Sequence, residues 1–238
     1  MTVALVDCRV SKKLENALCD YADKIIKLPP HPLLAPPVAS HPDMLLWLCG
    51  AELAVLKGYA EIAMQAFSEL TDAGLEIKET PETPSETYPR DVLLNCATVG
   101  DKIIANTKSA SALVKELSKS NGKQLLHTPQ GYAKCSTAVL SDNAVITADR
   151  SIHTVAENNG ISSLLISPGG VRLEGYDYGF IGGASATTGD NILFFGDLAT
   201  HPDGERIYDF CLSQGKIPMS LTNEPLYDYG TGIIIKVK

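Results

Sequence analysis

The sequence predicts an α/β propeller, in which five similar strand-strand-helix-strand units close around a central axis. The first observation is a repeat, because four helix-like stretches each end at a glycine that leads directly into a strand, at Gly74, Gly122, Gly160 and Gly215. The second is a hairpin-like pair of apolar runs ahead of each of those helices. Repeated units of this size bury a common face, so any shared site is expected where the units meet.

The first elements of the chain read as strand, helix and strand. Residues 3–6 form an apolar run typical of a buried strand, Ser11 can cap a helix that continues to about residue 22, and residues 24–28 form a second short strand. The prolines that follow, between residues 29 and 37, have no backbone donor and predict a loop or a sheet edge.

The four complete units follow from His41 onward, each reading strand, turn, strand, helix, glycine, strand. A glycine directly after a helix provides the left-handed residue that ends it. The paired strands are predicted at residues 45–48 with 53–56, 92–98 with 102–105, 135–140 with 144–147, and 180–187 with 192–195. The helices are predicted at 59–73, 109–120, 151–159 and 202–214, and the closing strands at 75–77, 123–126, 161–166 and 216–221.

The fifth unit is predicted to be shared between the two ends of the chain. Residues 227–238 contain only an opening strand, at 233–237, and residues 1–30 contain the strand, helix and strand that would complete it. Closing the ring in this way would place the last strand beside the first and bring the termini together. Residues 1–238 are therefore predicted to form a single domain.

Composition excludes several classes of function. The chain has 238 residues and a formal net charge of -8, which disfavours a nucleic-acid surface. The first residues lack the pattern of a signal peptide, and no apolar run approaches the ~20 residues needed to span a membrane. We therefore expect a cytoplasmic protein without a membrane partner, and a homo-oligomer is compatible with the sequence.

The six cysteines lack the spacing of a zinc or thioredoxin-like motif. Most of them lie in apolar runs and are expected to be small buried hydrophobes. His31, His127 and His153 have no partner spacing either. The sequence thus predicts neither a metal site nor a cofactor.

Four strings carry a resemblance to a known family: His41-Pro-Asp-Met44, Gly131-Tyr-Ala-Lys-Cys-Ser136, Asp177-Tyr-Gly-Phe-Ile-Gly-Gly-Ala-Ser185 and Glu224-Pro-Leu-Tyr-Asp228. They resemble an uncharacterised bacterial family assigned to the pentein fold. Penteins include arginine and agmatine deiminases, amidinotransferases and dimethylarginine hydrolases, and also a non-enzymatic ribosome anti-association factor. The resemblance covers nearly the whole chain, but a fold does not by itself define a reaction.

The resemblance implies a site at the central axis, where the opening strands begin. Polar residues gather at those positions in this sequence: His41, Asp43, Arg90, Asp91, Lys134, Cys135, Asp177, Tyr178, Glu224 and Asp228. Inward-pointing carboxylates suit a guanidinium, which pairs with planar carboxylates. We therefore expect binding or hydrolysis of a guanidino or amino-acid-like small molecule. His41 and Asp43 would share a face if their stretch is extended.

Cys135 and His41 are the candidate catalytic pair. Because Cys135 lies beside Lys134 and is expected near a histidine, the pKa of its thiol could fall, which would yield a thiolate nucleophile. The alternative is a partly buried, inert thiol. A one-residue change of register would exchange which of Lys134 and Cys135 faces the axis.

The chain departs from the catalytic penteins at both of their key positions. Those enzymes carry a nucleophilic cysteine in the last unit's opening strand, whereas this segment reads Asp228-Tyr-Gly-Thr-Gly-Ile. Their catalytic histidine corresponds here to Gly131 or Tyr132. The usual cysteine attack on a guanidinium carbon cannot be transferred, and only a rearranged site using Cys135 would restore it.

Two other hypotheses stay open at this stage. Inward charges at the axis could simply pair, Arg90 or Lys134 with Asp43 or Asp177, in a protein that acts as a structural or ribosome-interaction module. Such a protein would have a filled axis and an exposed apolar patch elsewhere. A doubly wound nucleotide-binding domain is disfavoured, because no glycine-rich loop follows residues 3–6.

Overall fold

The computed structural model describes residues 1–236, which form five separate three-stranded sheets. The strands are β1 (Thr2–Asp7), β2 (Lys24–Leu28), β3 (Leu46–Cys49), β4 (Glu52–Val55), β5 (Glu76–Glu79), β6 (Ala97–Val99), β7 (Lys102–Ala105), β8 (Gln124–His127), β9 (Thr137–Ser141), β10 (Ala144–Thr147), β11 (Ser162–Leu165), β12 (Ser185–Thr188), β13 (Asn191–Phe194), β14 (Ile217–Ser220) and β15 (Ile233–Lys236). The helices are α1 (Lys12–Leu18), α2 (Pro42–Leu45), α3 (Tyr59–Ile62), α4 (Met64–Asp72), α5 (Ala112–Ser120), α6 (Arg150–Asn158) and α7 (Gly204–Ser213), with short 3-10 turns at Pro36–Val38 and Leu198–Thr200.

Every sheet has the same connectivity. An opening strand pairs antiparallel with a middle strand, and the middle strand pairs parallel with a closing strand that follows a helical crossover. The middle strands β4, β7, β10 and β13 are almost wholly buried, as expected for strands in the middle of a sheet that is covered on both faces. The predicted order of elements within each unit is confirmed.

The fifth sheet joins the two ends of the chain. β15 pairs antiparallel with β1 from Thr2 opposite Lys236 to Leu5 opposite Ile233, and β1 pairs parallel with β2. The predicted closure and the neighbouring termini are confirmed within residues 1–236. Residue 237 of the predicted last strand lies outside the described residues, and the assignment of residues 1–238 to a single domain stays a prediction.

The predicted helix-ending glycines have the expected backbone conformation. Gly74 and Gly215 follow α4 and α7 with φ angles of 94° and 70°, a region that glycine adopts without a Cβ clash. The helix predicted at 59–73 is two helices rather than one, because Ala63 lies outside helical geometry (φ -101°, ψ 18°) between α3 and α4.

The opening segments differ most from the prediction. The pairing with the middle strands begins only at Leu46, Ala97, Thr137 and Ser185, so the residues ahead of these positions are turns. Residues 42–45 form the helical turn α2, with His41 at its N-cap. His41 and Asp43 therefore do not alternate along a strand, and the extended conformation on which the face-sharing prediction depended is absent from this segment.

Four of the five opening strands contact one another in chain order. β6 contacts β9, β9 contacts β12, and β12 contacts β15. Because each opening turn precedes its strand, the turns of different units converge at one end of this ring. That convergence positions the polar residues described next.

Candidate functional site

Two cavities border a buried polar cluster at the axis, and they share no lining residue. The first, here called the aromatic cavity, has a volume of about 270 Å³ and is lined by Tyr132, Tyr176, Tyr178 and Phe180 together with His41, Cys135, Asp177, Asp228 and three apolar residues. The second, here called the five-strand cavity, has a volume of about 370 Å³ and is lined by residues from the opening strand of every unit. Asp43, Lys134 and Thr231 border the five-strand cavity only.

Thr231 holds the polar cluster together. Its Oγ1 accepts from Lys134 Nζ at 3.0 Å and has one proton to donate, for which the Asp43 carboxylate at 3.0 Å is a stronger acceptor than the Gly182 carbonyl at 2.8 Å. Thr231 is 4% exposed and has a φ angle of 67°, which is unusual for a β-branched residue. A strained backbone that persists in a buried site indicates that the surrounding contacts fix this hydroxyl in place.

Burial disfavours the charged forms of both Asp43 and Lys134. Burial raises the pKa of Asp43 while the Lys134 ammonium lowers it, and burial lowers the pKa of Lys134 while Asp43 raises it. Lys134 Nζ also donates to the Thr137 carbonyl at 3.2 Å. The Cys135 thiol interacts with the Asp43 carboxylate and lowers its pKa, but Asp43 Oδ1 has no hydrogen bond of good geometry from any described residue. Lys134 thus lines the five-strand cavity and Cys135 lines the aromatic cavity. The two residues therefore face different cavities, and the choice of one or the other that was expected from the strand register does not arise.

His41 lies between two buried carboxylates. Its Nδ1 is 3.7 Å from Asp228 Oδ1 and its Nε2 is 3.8 Å from Asp7 Oδ2, and neither nitrogen makes a hydrogen bond within residues 1–236. Burial lowers the pKa of His41, although both carboxylates act to raise it. Gly230 packs directly on the base of the His41 side chain, since a Cβ there would meet His41 Cβ at 2.1 Å and Cγ at 2.3 Å. The close approach of the Gly230 backbone thus fixes the position of His41.

Asp228 is held by backbone donors. Its Oδ2 accepts from the Phe180 N–H at 2.8 Å and its Oδ1 from the Gly230 N–H at 2.9 Å. Gly183 makes room for this carboxylate, because a Cβ at that position would overlap Asp228 Oδ1 at 1.9 Å. Burial nevertheless raises the pKa of Asp228. A cation in the aromatic cavity would favour the ionised form of this carboxylate.

Cys135 lies in the wall of the aromatic cavity but is 3% exposed. Asn95 Nδ2 donates to its Sγ at 3.0 Å, and Asn95 Oδ1 accepts from the backbone N–H groups of Lys134 and Cys135. Burial, with the nearby carboxylates of Asp43 and Asp228, raises the pKa of the thiol well above its usual value. This direction disfavours the activated-thiolate hypothesis and favours its alternative, a partly buried, inert thiol.

Asp91 supports the aromatic wall from behind. Its Oδ2 accepts from the Tyr132 hydroxyl at 2.5 Å, and Tyr132 stacks on Phe180 with ring centroids 6.2 Å apart. Phe180 in turn meets Tyr178 edge to face at 6.4 Å. Burial raises the pKa of Asp91, which the Tyr132 hydroxyl bond lowers. Asp91 therefore orients an aromatic ring and does not line either cavity itself.

Two residues proposed from the sequence lie away from both cavities. Arg90 is exposed and interacts electrostatically with Glu82, and Glu224 is exposed with its carboxylate 3.6 Å from Lys13. Asp177 and Tyr178 are exposed at the opening of the aromatic cavity. The structure therefore brings together His41, Cys135, Asp177, Tyr178 and Asp228 around that cavity, and Asp43 with Lys134 around the other.

Several residues of the site were not predicted from the sequence: Asp7, Asn95, Tyr132, Tyr176, Phe180 and Thr231. Asp7 directly follows a predicted strand, and Thr231 lies in a Gly-Thr-Gly string after the predicted Asp228. Those positions at the beginning and end of apolar runs are the signals that could have identified them. Asn95 lay inside a predicted strand, so nothing in the sequence indicated that its side chain would bind the next unit.

No group of three or more metal-ligating side chains forms a metal centre within residues 1–236. Over the same residues, none of the helices has both the length and the apolar character required for a membrane span.

Five strand-strand-helix-strand units, with a polar site where their opening turns converge, define a protein of the pentein fold. Comparison with solved structures supports this class. The chain is similar to a cysteine-to-serine mutant of DDAH from Pseudomonas aeruginosa complexed with citrulline (TM-score 0.59, 10% identity, covering 93% of this chain and 91% of that one). It is also similar to SxtG, an amidinotransferase from Microseira wollei in the saxitoxin biosynthetic pathway (TM-score 0.59, 10% identity, 96% and 80% covered).

A histidine-to-glycine variant of dimethylarginine dimethylaminohydrolase, in an adduct with S-methyl-L-thiocitrulline, gives a TM-score of 0.59 at 11% identity, with 93% of this chain and 92% of that one covered. At these identities the likeness shows the fold alone. The sequence profile of the family of unknown function DUF6873 matches residues 5–234, and the chain belongs to that family. No curated protein matches the sequence.

Proposed function

We propose that the protein binds a small guanidino or amino-acid-like cation in the aromatic cavity. The observation that carries this proposal is the chemistry of the lining: Asp177 and Asp228 are carboxylates, and no lysine or arginine is among the described lining residues. Burial favours the neutral forms of His41 and the Cys135 thiol, because it lowers the pKa of the first and raises that of the second. Burial also raises the pKa of Asp228, so this carboxylate is the group whose ionised form a bound cation would stabilise. A cation is therefore the charge complement of this cavity.

The aromatic rings favour a flat cation. Tyr176 and Tyr178 are 50% and 44% exposed at the opening, whereas Tyr132 and Phe180 form a stacked pair deeper in the wall. A guanidinium is planar and weakly hydrated, stacks on aromatic faces and pairs with carboxylates through two donors. A compact ammonium would gain less from these rings, so the guanidino class fits better.

Binding is better supported than hydrolysis by Cys135. A thiol nucleophile must first lose its proton, and the Cys135 thiol is buried with its pKa raised. The groups that carry thiol chemistry in catalytic penteins are also absent from the corresponding positions of this sequence. Hydrolysis of the bound ligand through Cys135 and His41 thus stays a prediction, and the fold likeness to guanidino-modifying proteins supports only the ligand class.

Isothermal titration calorimetry with agmatine and L-arginine tests the proposal, with L-citrulline as a neutral ligand of similar length. We expect saturable binding of at least one guanidino compound and weaker binding of citrulline. Asp177→Asn should weaken that binding about two- to fivefold, the range of an exposed charge pair worth ~0.5–1 kcal/mol. Tyr178→Leu should weaken it by a similar factor through loss of a cation–π contact.

Glu224→Gln provides the matched control, because it removes an exposed carboxylate that lies away from both cavities. It should leave the affinity unchanged. Failure of every guanidino ligand to bind, or equal weakening by Glu224→Gln and Asp177→Asn, would overturn the proposal. The hypothesis of a non-catalytic protein-interaction or ribosome-interaction module would then be the one to pursue.

A further inference from the structure

The five-strand cavity shares no lining residue with the aromatic cavity. Its floor contains the Asp43 carboxylate and the Lys134 ammonium, and its outer part contains Asp142 and Lys216. These four lining groups carry two formal negative and two formal positive charges. Binding an ion here would leave its charge without a counter-charge, whereas a neutral polar ligand adds none.

The floor presents one acceptor and one donor that remain available. Asp43 is 2% exposed and its carboxylate interacts with the Cys135 thiol and the Thr231 hydroxyl, but its Oδ1 has no hydrogen bond of good geometry from the residues at positions 1–236. Lys134 Nζ has three donor protons and uses two of them, on Thr137 O and Thr231 Oγ1. A buried acceptor beside a spare donor matches a group that has both an N–H and a carbonyl.

We propose that the five-strand cavity binds a primary carboxamide with an apolar body. The carbonyl of the amide would accept from Lys134 Nζ, and its NH₂ group would donate to Asp43 Oδ1. The walls suit the apolar body, because Trp47, Val139 and Ile233 lie along them. A volume of about 370 Å³ is within the range of ordinary small-molecule sites. This site is separate from the proposed cation site and does not depend on it.

Trp47 makes the test specific to this cavity. It is the single tryptophan of the chain, it lines the five-strand cavity, and its Nε1–H donates to Thr98 Oγ1 at 3.0 Å. Its indole N–H resonance and its fluorescence therefore report on this cavity and not on the aromatic one. The probes are benzamide, benzoate and benzylamine, which share a body and differ in charge and hydrogen-bonding groups.

Benzamide should shift the Trp47 indole N–H resonance saturably, with a dissociation constant at least about tenfold lower than those of benzoate and benzylamine. Lys134→Met should weaken the benzamide response at least about tenfold, since it removes the donor at similar side-chain length. Asp177→Asn, in the other cavity, should leave the benzamide response unchanged. Its effect on agmatine binding is measured separately, so failure of one proposal is distinguishable from failure of the other.

Three results would overturn the carboxamide site. These are no benzamide response at Trp47, binding of benzoate or benzylamine as tight as that of benzamide, and an unchanged response in a folded Lys134→Met variant. If Lys134→Met does not fold, the three-probe series on the unaltered protein decides the question by itself.

Discussion

Replacing Thr231 by valine should be among the most destabilising single changes in this protein. Valine keeps the shape and β-branching of threonine, so the backbone strain at a φ angle of 67° is the same in both proteins. Only the hydroxyl is lost. Asp43 Oδ2 then loses its 3.0 Å donor and Lys134 Nζ loses one of its two acceptors.

The magnitude follows from these two contacts. A hydrogen bond to a charged group contributes about 1.5–3 kcal/mol, so losing two of them lowers the free energy of unfolding by about 3–6 kcal/mol. That is a large part of the ~5–15 kcal/mol by which domains are usually stable. With an m-value of about 2–3 kcal/mol/M in urea, the unfolding midpoint should fall by about 1–3 M.

Thr231→Ser is the matched control for this change. Serine keeps the hydroxyl and loses one methyl group, so its free energy of unfolding should stay within about 1 kcal/mol of the original. Urea unfolding followed by the fluorescence of Trp47 measures both variants. If the valine variant unfolds within ~0.3 M of the serine variant, the hydroxyl does not hold Asp43 and Lys134 together and the reasoning is refuted.

Three further outcomes are expected. Gly230→Ala should lower the free energy of unfolding, measured in urea, by about 2–5 kcal/mol, because its Cβ would lie 2.1 Å from His41 Cβ. Gly74→Ala is the control: its Cβ meets no neighbour, so it should lose only about 1–2 kcal/mol for its left-handed backbone. Equal losses in the two variants would contradict the clash. His41 should titrate by NMR with a midpoint below the ~6.5 of free histidine, since burial lowers its pKa. The unfolded chain then binds the extra proton, so the His41 contribution to stability is lost as pH falls through ~6.5, and a midpoint at or above that value would exclude this. Iodoacetamide at pH 7 should label exposed Cys19 well before buried Cys135, as peptide mass spectrometry can measure, and the reverse order would revive the activated-thiolate hypothesis.

Local sequence signals were sufficient for the unit architecture. Gly215, for example, ends α7 and leads into β14, which pairs parallel with β13 from Asn191 opposite Ile217. Such signals act within a few residues, through helix termination and hydrophobic periodicity, and they survive whatever packs around them. The split fifth unit was predictable for the same reason, since each part already had the pattern of a partial unit.

The opening segments were not predictable in the same way. Residues 92–96 are apolar enough to read as a strand, but Asn95 binds the backbone of Lys134 and Cys135 in the next unit and the segment forms turns instead. Tertiary hydrogen bonds override strand propensity at such positions.

The same limit applies to the membership of the site. His41 and Asp228 were predicted, but Asp7, which faces His41 from the other side, comes from a strand in a different unit. Proximity to a unit opening also selected Arg90 and Glu224, which line neither cavity, because a turn has an outer side as well as one that faces the axis. Which side a residue takes is decided by packing between units, and a single sequence contains no direct record of that packing.

The pairing of β1 with β15 has a consequence for how the chain folds during synthesis. β1 is an apolar strand that leaves the ribosome early, yet its antiparallel partner is roughly 230 residues later, or on the order of 10–50 s of translation at about 5–20 residues per second. During that interval one edge of β1 has no partner, and an unpaired apolar edge invites association with other chains. Until the last strand is synthesised, the sheet that joins the two ends of the chain can form only its β1–β2 pair.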